Sequence, residues 1–146
     1  MSISVKTWDK MIDTFLGCAM AKEACRRQHK TRYIRLPDLL EEYAGKSVIF
    51  GGKNKVLNKY AAFKVLVLDE WLMLELSKAD VEFLLELTER RFDSTSTIFC
   101  TLYKREEWVK RLRNGTYAES IVERFAHNTI WGENGAVNMR QYLSHA

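Results

Sequence analysis

At 146 residues, 47% of them hydrophobic and 29% charged, the chain has the length and balance of one globular domain with room for a buried core. No apolar run approaches the ~20 residues of a membrane-spanning helix, and the first residues show no basic-then-apolar leader pattern. Net charge is +4, a mild excess; the three cysteines have no metal-ligand spacing and read as reduced thiols of a cytoplasmic protein.

Met1 to Lys6 alternates weakly, with Ile3 and Val5 on one side and Ser2 and Ser4 on the other, as a short strand does. Thr7 or Asp9 can cap a helix that follows. Its expected apolar face is Met11, Phe15, Cys18, Ala19, Met20 and Cys25, and its expected end is near Gln28. Arg32 to Leu36 reads as a strand. Pro37 and Asp38 suit the first turn of a short helix carrying Leu39, Leu40 and Tyr43, with Gly45 as its stop. Gly51-Gly52-Lys53 marks a flexible break before a weak helix over Lys55 to Phe63.

Lys64 to Trp71 is the most informative stretch. Val65 to Leu68 is apolar without alternation, as in a parallel strand buried on both faces. Asp69 and Glu70 stand where that strand ends, the place where ligands collect in open α/β sheets. An apolar strand ending in Asp-Glu has the Walker B pattern, in which the Asp holds Mg²⁺ and the Glu polarises the attacking water. The plainer alternative is a buried strand running into a solvated acidic turn.

Ser77 and Asp80 form a capping-box signature, opening a helix to about Asp93 that buries Val81, Leu84, Leu85 and Phe92. Ser96 to Thr101 is the next strand. A helix around Glu106 to Arg113 presents Trp108 and Leu112 and stops at Gly115. Thr116 with Glu119 is a second capping-box signature, before Ile121, Val122 and Phe125. Asn128 to Gly132 reads as a strand, Glu133 to Gly135 as a turn, and Val137 to Arg140 as a segment that pairs back. The order is strand, helix, strand, two helices, strand, helix, strand, two helices, strand. Such alternation predicts an α/β fold, a parallel sheet with helices on both faces, in a single domain over 1–146.

Charge is unevenly spread. Gly45 to Lys64 holds five lysines and no acid, while Asp69 to Asp93 holds eight acids against Lys78, Arg90 and Arg91. Lys53, Lys55 and Lys59 are candidate contacts for DNA phosphates; an ordinary solvated surface is the alternative.

The chain resembles the IstB-like proteins, AAA+ ATPases that assist insertion-sequence transposases and are related to the DnaC/DnaI helicase loaders. The stretches that carry the resemblance occur in family order from about Thr14 to Arg140. They include Arg-Tyr-Ile-Arg-Leu-Pro-Asp-Leu-Leu-Glu-Glu-Tyr (32 to 43), Val-Leu-Val-Leu-Asp-Glu-Trp (65 to 71), Ser-Ile-Val-Glu-Arg-Phe-Ala-His-Asn (120 to 128) and Asn-Met-Arg (138 to 140). The resemblance implies a P-loop NTPase sheet, ATP and Mg²⁺ as cofactors, and DNA and a transposase as partners, with self-assembly and no membrane. Asp69 would bind the metal, Glu70 would activate water, and Thr14 would match the hydroxyl residue of the phosphate loop. Arg124 would be the arginine finger that reaches a neighbouring subunit, and Arg140 a nucleotide sensor. Without the resemblance, Arg124 reads as a surface ion pair and Arg140 as a strand-edge charge.

Two departures qualify the match. The phosphate loop G-x-x-x-x-G-K-[ST] is absent: Asp13 stands where its lysine belongs, and no glycine precedes Gly17. A carboxylate there repels a triphosphate. Leu102 follows Thr101 where the family places an amide that orients water. The expectation is therefore an N-terminally truncated or rearranged chain with Ser2 to Lys6 in the slot of the strand before the loop, running straight into the helix. Hydrolysis is expected to be lost, and a non-enzymatic scaffold that binds DNA or a transposase is the alternative. His29, His127 and His145 are too scattered for a metal enzyme, and no Gly-x-Ser-x-Gly elbow occurs.

Overall fold

A computed structural model describes residues 2–6, 10–126 and 129–133. Five strands and six helices follow one another: β1 (Ser2–Lys6), α1 (Lys10–Arg26), β2 (Thr31–Arg35), α2 (Leu36–Ser47), α3 (Gly52–Ala61), β3 (Val65–Asp69), α4 (Lys78–Arg91), β4 (Ser96–Thr101), α5 (Arg105–Arg111), α6 (Thr116–Ala126) and β5 (Thr129–Glu133). This is the element order that the apolar patterning predicts. The strands form one sheet in the order β2-β3-β4-β1-β5, every neighbouring pair parallel.

The slot for β1 is the one expected of Ser2 to Lys6. Ile3 lies opposite Ile98 of β4 and Ile130 of β5, so the sheet runs without a gap. Asn128 lies outside the described residues, as do His127, His145 and the whole of Val137 to Arg140, including Arg140.

The run Val65 to Leu68 is apolar throughout because both faces of β3 are covered. Leu66 and Leu68 face a large core with Phe99 of β4 and with Leu39, Leu57, Leu84, Trp108 and Phe125, one from each of helices α2 to α6. Val67 faces the other way, with Ile98, Cys100 and Ala21 of α1. Successive side chains of a strand point to opposite faces, so one uniform run serves two cores.

The face α1 turns to the sheet differs from the large apolar stripe expected. Phe15 is exposed, as are Ala19 and Cys25, whereas Gly17 and Ala21 are buried. Small residues let the helix lie close. A Cβ on Gly17 would stand 2.9 Å from Cys100 Sγ and 3.3 Å from Val67 Cγ1.

Other boundaries shift for local reasons. α2 continues through Gly45 to Ser47, because nothing in the turn after it forces a left-handed residue there. Gly51 does take a left-handed φ of 73°, and α3 begins at Gly52 rather than Lys55. A Cβ on Gly52 would sit 2.0 Å from the Lys46 carbonyl oxygen, so the pair of glycines is a tight helix–helix corner. Ser77 and Asp80 make their box reciprocally: Ser77 N donates to Asp80 Oδ2 at 2.9 Å, and Asp80 N to Ser77 Oγ at 3.1 Å. Thr116 is instead the first helical residue, and Glu119 N donates to Gly115 O at 3.1 Å. Phe92 is 45% exposed because α4 ends at Arg91 and the chain turns outward.

Arg91 is the polar anchor of this core. It is 4% exposed, and it donates to Thr97 Oγ1 at 3.0 Å, Tyr60 O at 2.8 Å, Phe63 O at 2.7 Å and Ser96 O at 2.7 Å. Burial pulls its guanidinium down to about 10. The five-donor fork lets one side chain close the ends of α3, α4 and β4 together.

Candidate functional site

The two acidic residues at the end of β3 stand at the carboxyl edge of the sheet, and both are buried: Asp69 is 1% exposed and Glu70 8%. Asp69 continues the strand alternation of Val65 and Val67 and so faces α1. Glu70 leaves the strand with a left-handed φ of 55°, and Leu72 follows with 62°. A bend of that kind is strained for residues with a Cβ and is sustained by its surroundings. Trp71 N donates to Cys100 O at 2.9 Å, and the Thr101 hydroxyl donates to Trp71 O at 3.1 Å. Arg111 donates twice to Leu72 O, at 2.9 and 2.6 Å, while stacked on Tyr103.

The Asp69 carboxylate is held by three donors from three parts of the chain. Thr14 Oγ1 on α1 donates to Oδ2 at 2.8 Å. The Tyr33 hydroxyl on β2 donates to the same oxygen. The backbone N–H of Glu70 donates to Oδ1 at 2.8 Å. Burial, then the hydrogen bond to Asp69, pushes the Tyr33 phenol up, because both disfavour a second anion there. Glu70 faces Arg35 of β2, with Nε 3.4 Å from Oε2, and Arg35 also lies 3.5 Å from Asp38.

Thr14, Asp69 and Glu70, singled out from sequence, therefore do meet, with Arg35 and Tyr33 added. Sequence reading passed over the last two. A signal existed: β2 alternates, Arg35 lies opposite Asp69 in register, and Tyr33 shares that face two residues earlier.

The remaining sequence candidates lie elsewhere. Arg124 on α6 pairs with Glu89 of α4 at 2.9 Å and donates to Ser120 O at 3.4 Å. Lys53 lies 3.8 Å from Glu86, and Lys59 pairs with Glu42 at 2.7 Å; Lys55 is exposed on the same helix. Arg26 and Arg27, from the other basic stretch, are bonded to Glu23, and they hold its carboxyl down to about 2. Asp13 and its side chain surroundings fall outside the described side chains, as does all of Arg140.

A Thr hydroxyl beside an Asp carboxylate is the donor set that a P-loop fold offers to Mg²⁺. The phosphate cradle does not fit. Only Thr7, Trp8 and Asp9 separate the end of β1 at Lys6 from the start of α1 at Lys10, too few for the eight-residue G-x-x-x-x-G-K-[ST] loop. Thr14 stands in the second turn of α1, where its N–H is directed at the Lys10 carbonyl rather than at a ligand. Among the described residues no group of three or more His, Cys, Asp or Glu side chains could hold a metal ion. No helix among them is long and apolar enough to cross a membrane.

Comparison with known proteins agrees with this architecture. The profile of the family described as IstB-like ATP binding protein matches residues 11–142. An insertion sequence ATP-binding protein of Sinorhizobium fredii, y4uH, is 29% identical over 128 residues, covering 88% of this chain and 51% of that protein. The chain spans about half the length of the curated relatives it matches. Among solved structures, the DnaC helicase loader superposes with a TM-score of 0.76 at 16% identity, covering 92% of this chain and 78% of that one. The replication initiator DnaA bound to AMPPCP and single-stranded DNA superposes with a TM-score of 0.78 at 17% identity, covering 99% and 45%. At those identities the superpositions establish the fold, an AAA+ P-loop NTPase sheet with its helices. The family match over most of the chain establishes descent: the chain belongs to the IstB-like ATP-binding protein family.

Proposed function

We propose that this chain is an IstB-like domain that serves DNA transposition or replication by contacting DNA and a transposase, without hydrolysing ATP itself. The observation that carries the reading is the junction between β1 and α1. The three residues between Lys6 and Lys10 leave no room for a phosphate loop, and Asp13 brings a carboxylate where the loop's lysine would stand. In this class of enzyme, positioning and neutralising the phosphates supply nearly all the catalysis, so Asp69 and Glu70 have nothing to act on. Thr14 and Tyr33 give Asp69 a different task, joining α1 to β2 and β3. Arg124, bonded to Glu89, has the same position in the sequence as the family's finger but no phosphate to reach in its own subunit.

The DNA half of the reading is supported by the names of relatives, which are insertion sequence proteins, and by the DnaA complex with single-stranded DNA. Lys53, Lys55 and Lys59 are one candidate contact, with Lys55 the least engaged of the three.

The test is titration of the chain with a fluorescent ATP analogue and Mg²⁺, beside an Asp69→Asn variant. The expected result is no saturable binding up to about 1 mM nucleotide. Micromolar binding that the variant loses would restore the reading of a working ATP site with Asp69 as metal ligand.

A further inference from the structure

Part of the basic stretches visible in the sequence is neutralised at home: Lys53 and Lys59 of α3 face Glu86 of α4 and Glu42 of α2, and Arg26 and Arg27 face Glu23 of α1. A second group of cations, Lys110, Arg111 and Arg113, is completed by the fold with Lys78. Two clefts lie side by side where α4 begins and where α5 turns into α6. The first, about 350 Å³, is bordered by Lys78, Arg113, Asn114 and Thr116, with the buried Val81 and Leu112 as its floor. The second, about 300 Å³, is bordered by Lys110, Arg111, Glu75 and again Arg113. Lys110, Arg111 and Arg113 are adjacent in the chain, and Lys78, 32 positions before Lys110, joins them only through the fold.

None of the four cations has a carboxylate among its ion pairs in the described residues. Arg111 and Arg113 spend some donors on the carbonyls of Leu72 and Leu76, which fixes their guanidinium planes and leaves the positive charge uncompensated. Acids stand on the same helices, Glu82 four residues after Lys78 and Glu106 and Glu107 four residues before Lys110 and Arg111, but none of them forms an ion pair with these cations among the described residues. Glu75 lines the second cleft, and Asp80 is tied to Ser77 N.

We propose that this pair of clefts, with Lys78, Lys110, Arg111 and Arg113, is a phosphodiester-binding surface for DNA. It rests on the DNA reading above and replaces α3 as its main contact. Fixed guanidiniums and exposed lysines around open clefts, with Asn114 and Thr116 as neutral donors, suit a run of phosphates. An acidic protein partner would need apolar anchors, and the aromatic available at this rim is Tyr117 alone, the floor residues being buried.

The experiment is fluorescence anisotropy with a labelled DNA duplex over a range of salt, on the chain as it stands. Its variants are Lys78→Glu with Lys110→Glu, and Lys53→Glu with Lys55→Glu and Lys59→Glu. Lys78 and Lys110 are exposed, and far-ultraviolet circular dichroism confirms folding; Lys78→Gln with Lys110→Gln serves if reversal unfolds the chain. The first pair is expected to weaken binding about tenfold or more and to reduce the slope of log K against log salt by about 2. The α3 triple is expected to lose less. Wild-type binding that survives the Lys78 and Lys110 changes would overturn the cleft assignment and leave the DNA reading standing. Absence of wild-type binding would overturn the DNA reading itself. Polyglutamate that competes as well as unlabelled DNA of equal charge would point to an acidic protein and overturn the proposal.

Discussion

Thr14 and Asp69, 55 residues apart, meet through a 2.8 Å hydrogen bond that fastens the first helix to the end of β3. Tyr33 reaches the same carboxylate oxygen from β2. Three elements are thus joined at one buried acid.

Removing those donors should show in stability before it shows in any activity. Thr14→Val and Tyr33→Phe should each lower unfolding free energy by about 1 kcal/mol, and the double change by about 3 kcal/mol, since it leaves Oδ2 buried without a donor. Urea denaturation measures this. A double variant within a few tenths of wild type would show that the carboxylate carries no structural weight.

Alkaline pH supplies an independent reading of Tyr33. Its folded-state phenol ionises above the ordinary tyrosine value, because burial and the Asp69 bond oppose the phenolate. The stability from that bond is fully present below the unfolded pKa of about 10 and is lost as pH rises towards the folded value. Unfolding curves from pH 8 upward should therefore fall more steeply for wild type than for Tyr33→Phe. Parallel curves would contradict the assignment.

Gly17→Ala sets two effects against each other. Alanine favours the helix by about 1 kcal/mol, but its Cβ meets Cys100 Sγ at 2.9 Å. Overpacking of about 1–3 kcal/mol should win. Adding Cys100→Ala should recover part of the loss, and a double-mutant cycle reads the coupling. Additive effects would mean that helix and strand yield without contact.

Arg91→Met should be among the most damaging single changes. It leaves the carbonyls of Tyr60, Phe63 and Ser96 without their shared donor, at a cost of about 3–5 kcal/mol. Arg124→Ala, which removes only a half-exposed pair with Glu89, should cost less than about 1 kcal/mol. Thermal or urea unfolding of the two side by side checks the contrast, and equal losses would refute it.

Much of the architecture was legible in the chain. The unbroken apolar run Val65 to Leu68, the capping box at Ser77, and alternating helix and strand signals suffice for a parallel sheet with covered faces, because burial on both sides demands apolar residues at every position. The acids Asp69 and Glu70 were legible too, since the strand's end is where polar residues resume. The missing phosphate loop was equally plain, as a motif of fixed length either occurs or does not. What the tertiary structure alone decided is where charges meet. Burial patterns follow from local periodicity, but ion pairs depend on which distant surfaces the fold apposes. Lys53 and Lys59 face acids that no window of sequence puts beside them. Lys78 is likewise brought to Arg113 only by the fold, beside a cleft that Glu75 lines. The same holds at Asp69, whose partners Thr14 and Tyr33 lie on separate elements and become neighbours only when α1 packs through Gly17 and Ala21 against the sheet.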